Sequence, residues 1–120
     1  MTLRSARTSA SGVAALDYEI AQEQTAALGR MGRALEAALA ALCEHDRAQD
    51  HRARDQRANG EGNATRFRLV QDAGDALWCF MVQRESIGLR DPRPVFREYR
   101  VPAEVQNRMG VFSGRGRASA

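Results

Sequence analysis

Cys43, His45, Asp46, Asp50 and His51 crowd into one short stretch of this chain and form its densest set of nucleophilic and metal-ligating side chains. A zinc site carried on one helix needs ligands three or four residues apart, so that they leave the same face. His45 and His51 are six apart, which turns them about 120° from one another at 3.6 residues per turn. Cys43 and His45 point about 200° apart, so they do not form a nucleophile and base pair either. The set reads as the solvated side of a helix. Asp72 and Asp75 do share a face, but two acids early in a helix serve its dipole. No Glu-x-x-His pattern marks a di-iron bundle.

A second exclusion is broader. All 18 basic residues are arginine, and the chain contains no lysine. That removes the phosphate-loop lysine, the Schiff base to a carbonyl or pyridoxal group, and the lysine general base. "GRMGR" at 29–33 and "GVFSGRG" at 110–116 follow no strand, so neither is a phosphate loop. Gly29 and Gly32 read instead as a flat patch where another helix approaches. No catalytic residue, cofactor site or metal site is expected, and the chain is not expected to be an enzyme.

The pI of about 9.5 invites a nucleic-acid reading. Four of the 18 arginines lie in the tails (Arg4, Arg7, Arg115, Arg117), leaving 14 to face 15 acids across the body. Basicity held in loose ends is not the groove or stripe of a duplex reader. Arg90, Arg93, Arg97, Arg100 and Arg108 flank two short helical segments that resemble a helix-turn-helix in order. Asp91, Glu98 and Glu104 offset them, and arginine stems over an apolar layer explain them equally well.

The elements that carry these residues follow from periodicity. Leu16, Ile20, Leu28, Met31, Leu35, Leu39 and Leu42 recur at helical steps, and no proline interrupts the chain from Val13 to Arg57. One helix of up to about 45 residues, about 65 Å long, is predicted there. Within it "ALEAALAALC" (34–43) is expected to be buried on several faces. The stretch 44–58 has no large apolar residue and is expected to fray or to project as a stalk. "NGEGN" (59–63) predicts the turn. A second helix is predicted over about 65–87, capped by Asn63 or Thr65 and stopped at Gly88, with Leu77 and Met81 on its inner face. Asp91 with Pro92 and then Pro102 open two short helices, and Gly110 closes the second.

The fold class is therefore all-α, a long helical hairpin plus two short C-terminal helices. Residues 13–110 form one domain, with a polar stretch and turn at about 44–64. Residues 1–12 and 111–120 are expected to be disordered tails. The N-terminus has no apolar middle region and no stretch reaches the length of a membrane span, so a cytoplasmic location without membrane contact is expected. Cys43 and Cys79 sit in apolar patterns and are expected to be buried, reduced thiols.

"ALDYEIAQEQTAALGRMGRALEAALAAL", "DALWCFMVQRE" with "IGLRD", and "YRVPAEVQNRMG" together resemble an uncharacterised bacterial family of short helical proteins, a domain of unknown function. The likeness spans roughly residues 13 to 110. It implies no activity and transfers no functional residue.

One problem remains, the cover for "ALWCFMV" (76–82). A helix that is apolar all round must be enclosed, and the hairpin and short helices cover only part of it. Trp78, Phe80, Gly29, Gly32, Ala38 and Ala41 are expected to form an interface, and a second copy is the economical cover, two hairpins making a four-helix core. The expected function is a self-associating interaction or scaffolding protein. The alternative is an arginine-based nucleic-acid accessory, and an unknown protein partner remains open.

Overall fold

A computed structural model describes residues 2–55 and 60–111, with side chains described over 12–52 and 62–111. It contains α1 (Thr2–Asp55), α2 (Gly60–Ser86), α3 (Arg93–Glu98) and α4 (Ala103–Arg108). No strand occurs among the described residues. The first proline of the chain is Pro92, so nothing in either long helix removes a backbone donor. α1 accordingly runs back to Thr2 rather than beginning near Val13. Residues 112–120, most of the expected C-terminal tail, lie outside the described residues.

α2 begins at Gly60, so Gly60, Gly62 and Asn63 are helical and neither Asn63 nor Thr65 caps the helix. Two glycines disfavour a helix by roughly 1 kcal/mol each, a penalty that packing on a neighbouring helix can outweigh. That packing is antiparallel. Asp46 meets Arg66, and Gly32 lies against the Phe80 ring, so position falls along α1 as it rises along α2. Continuing this register puts the end of α2 opposite about residue 26 of α1. Everything before that on α1 extends beyond the hairpin, and the molecule measures 81 × 36 × 20 Å.

The stop signals act as their residue types predict. Gly88 has φ +92°, and the Leu89 N–H donates to the Arg84 carbonyl at 2.9 Å, closing α2 with a Schellman-type bond. Asp91 accepts the Arg93 N–H at 3.1 Å at the start of α3. Pro102 precedes α4, and Gly110 leaves it with φ +82° over the Trp78 ring. Between α3 and α4, Arg100 is left-handed with φ 52°, a conformation costing an L-residue about 1–2 kcal/mol. The Val101 N–H bond to the Phe96 carbonyl holds it there.

The core draws Leu35 and Leu42 from α1, Val70, Ala73, Leu77, Phe80 and Met81 from α2, and Val95, Val101 and Val105 from the C-terminal segment. α4 seats on α2 at Gly74. Three expectations are corrected here. The 34–43 stretch is not buried on several faces: Leu35 and Leu42 are buried, whereas Ala34, Ala37, Ala40 and Ala41 are exposed. Cys43 and Cys79 are free thiols, as expected, but both are exposed. The projecting part of α1 is its N-terminal half, while 44–52 runs beside α2 and is tied to it through Asp46. Apart from Cys79, which lies on α2, they have one cause, because α2 to α4 cover one flank of α1 over its second half only.

Gly74 tests how closely α4 must approach. A Cβ there would lie 2.9 Å from the Arg108 Cβ and 3.1 Å from the Arg108 carbonyl carbon and oxygen. Gly74→Ala should destabilise the fold by about 1–3 kcal/mol despite the better helix propensity of alanine. Gly12→Ala, with nothing within 4 Å, should leave the melting temperature unchanged or raised. Thermal melts followed by circular dichroism measure both.

Candidate functional site

Three elements converge on one guanidinium. Arg66 of α2 donates through Nε to Asp46 Oδ1 at 2.8 Å and through Nη2 to Asp46 Oδ2 at 3.2 Å. Its Nη1 donates to Glu104 Oε2 at 2.9 Å, and Nη2 also reaches Glu104 Oε1. A planar fork can serve two carboxylates at once, so this residue joins α1, α2 and α4. The hydrogen bonds from Arg66 hold the Glu104 carboxyl below its ordinary value. Beside it an open groove of about 460 Å³ is lined by Phe67, Val70, Asn107 and Arg108 among others. The Arg108 guanidinium lies 4.5 Å from the Phe67 ring centre. Deeper in, Gln71 donates to Asp75 Oδ1 at 2.9 Å and to the Val111 carbonyl, which pins the chain after α4. These polar groups serve the chain's own elements.

The residues first suspected of chemistry do not converge. Cys43 and His51 are exposed and His45 is half-buried. Among the described residues no group of three or more His, Cys, Asp or Glu side chains is placed to hold a metal. The C-terminal arginines are partly committed. Arg93 grips Asp91 at 3.0 and 2.9 Å and, with its own N–H, lowers the Asp91 carboxyl to about 2. Arg108 covers Phe67, as noted.

Of the six residues expected at an interface, two are enclosed by the chain itself. Phe80 is 6% exposed and meets Tyr99 edge to face at 5.5 Å. Gly32 is buried so tightly under Tyr99 that a Cβ would lie 2.7 Å from its hydroxyl. The close approach expected at Gly32 is thus made by a side chain of the same molecule. Gly29 and Ala38 are half-buried, Ala41 is exposed, and Trp78 lies partly covered against Gly110.

A further uncovered apolar surface lies away from these residues. Val13, Leu16, Tyr18 and Ile20, on the projecting half of α1, are 58%, 55%, 66% and 47% exposed. Val13 and Ile20 lie within about 60° of Leu35 around the helix, so the buried stripe continues outward onto the arm. Leu16 and Ile20 already stood in the sequence periodicity. What the sequence lacked was any sign that α2 would end before reaching them.

A family model matches residues 2–117. The chain belongs to the Family of unknown function (DUF6665). The match takes in the arm, the hairpin and the charged 44–63 stretch alike. No curated protein and no solved structure matches this DUF6665 chain.

The Arg66 junction has a definite pH dependence. Glu104 has a depressed folded-state pKa, so its contribution is complete above its ordinary value of 4.5 and is lost as the pH falls through the lower folded value. The pair is part-exposed and screened, so the contribution is below about 1 kcal/mol. Glu104→Gln should melt slightly below the unmodified protein from pH 8 to pH 5, and the difference should shrink as the pH falls below 4.5 and close below the depressed folded-state value. Paired thermal melts across that range measure it.

Proposed function

We propose that this DUF6665 chain is a non-catalytic, self-associating helical interaction protein, and that the projecting half of α1 is the surface through which it associates. One observation carries the proposal, the exposure of Val13, Leu16, Tyr18 and Ile20 on a part of α1 that no other described element accompanies. A helix takes most of its stability from packing its apolar face rather than from propensity. A second copy supplies the same unsatisfied stripe and gains the same cover, which is the condition for a two-fold, self-complementary contact.

The nucleic-acid alternative would rest on the arginines of α3 and α4. Arg93 and Arg108 are engaged by Asp91 and Phe67, and Glu104 stands at the start of α4. These contacts favour the protein partner.

Sedimentation at tens of micromolar should return a dimer. Val13→Glu with Ile20→Glu should convert it to a monomer, because two charges forced into a dry contact weaken association by at least about 100-fold, or about 3 kcal/mol. The melting of the α2–α4 region should change little, since neither side chain contributes to the core. A compact monomer from the unmodified protein would end the proposal. Salt-dependent mobility shifts of DNA or RNA by the protein lacking both tails would favour the alternative.

A further inference from the structure

We infer that two copies pair antiparallel along α1, the arm of each lying on the alanine flank of the other's hairpin, with the two-fold axis near residue 25. The inference rests on the self-association proposed above and specifies its geometry. Val13, Ile20, Ala27, Ala34 and Ala41 recur every seventh residue, the repeat of a coiled-coil seam. Leu16, Glu23, Arg30 and Ala37 occupy the position three residues after each of the first four. Both sets lie on α1 and all but Ala27 are exposed, Ala27 being half-buried. This seam is clear of the chain's own C-terminal segment. Tyr99 lies against Gly32 and shares a groove with Leu39 and Cys43, on the opposite side of the Leu35 direction.

The seam changes character along its length. Its outer part carries Val13, Leu16 and Ile20, and its inner part carries Ala27, Ala34, Ala37 and Ala41. Large side chains pack best into holes lined by small ones, so each half is complementary to the other half rather than to itself. Antiparallel pairing about residue 25 brings Leu16 against Ala34 of the second copy and Val13 against Ala37, and lays Ile20 along the aliphatic stem of Arg30. Each end then holds three helices, α1 and α2 of one copy with the arm of the other.

Charge selects the same direction. Glu19 and Glu23 precede the axis, and Arg30 and Arg33 follow it. Parallel, in-register pairing would set Glu23 against Glu23 and Arg30 against Arg30 inside the seam. Antiparallel pairing sets Glu19 beside Arg33 and Glu23 beside Arg30 of the other copy. Within one chain Glu23 and Arg30 already pair at 3.1 Å, with both side chains more than half exposed. An exposed pair is worth little and is readily extended across the axis.

Disulfide trapping tests the register on the full chain with Cys43 and Cys79 replaced by serine, since both thiols are exposed. The double variant Leu16→Cys/Ala34→Cys should convert most of the protein to covalent dimer under mild oxidation, and so should Val13→Cys/Ala37→Cys. Leu16→Cys alone should give little, because the two copies of residue 16 would stand about 27 Å apart. Rapid trapping of Leu16→Cys alone means parallel pairing and overturns the inference. A dimer in sedimentation that neither double variant traps also overturns it, while leaving self-association intact. A monomer in sedimentation removes both.

Discussion

A helix of 54 residues is packed here against one of 27, joined to it through residues 56–59. At 1.5 Å per residue the first is about 80 Å long and the second about 40 Å, so half of α1 is beyond the reach of its partner. The short C-terminal helices do not make up the difference. Val105 is fully buried over α2, Gly74 admits the α4 backbone at near-contact distance, and Arg66 fastens Glu104 to Asp46. All three hold the C-terminal segment over the second half of α1. The rest of that helix keeps its stripe and has no cover among the described residues.

The packed half is built economically. Its buried set is mostly valine, leucine and alanine, and two glycines do work that side chains would prevent. Gly32 makes room for the Tyr99 hydroxyl, and Gly74 makes room for the Arg108 backbone. The alanines between Leu35 and Leu42 turn away from this core. They are too small to need enclosing individually, yet together they leave a smooth flank that a larger side chain from another helix can fill. The polar contacts inside the packed half join its elements to one another, Arg66 to two carboxylates and Gln71 to the chain after α4.

Several features could be read before any packing was known, each because its cause is local. Gly88 and Gly110 adopt the left-handed conformation that glycine tolerates, and Pro102 opens a helix whose first donor needs no partner. The steps from Leu28 to Leu42 name the stripe that faces α2. Other features have non-local causes. Gly60, Gly62 and Asn63 look like a turn, but they lie in the first turn of α2. Cys43 and Cys79 stand among apolar neighbours, yet each leaves its helix on a side that nothing covers. Phe80 looked available to a partner because the path of Tyr99 across the hairpin cannot be inferred from spacing.

The sequence by itself determined that the chain is helical, where α2 and α4 stop, and that no lysine-dependent chemistry is open to it. These follow from periodicity, from backbone constraints at glycine and proline, and from composition, all of which act within a few residues. The tertiary structure decided which stretch of the α1 stripe is spent on the chain's own core. A stripe states that a face is apolar over its whole length, but its cover depends on where the neighbouring helix begins, in what register it lies and where it ends. For Leu35 and Leu42 that register supplies a partner within the chain, and for Val13 and Ile20 it does not.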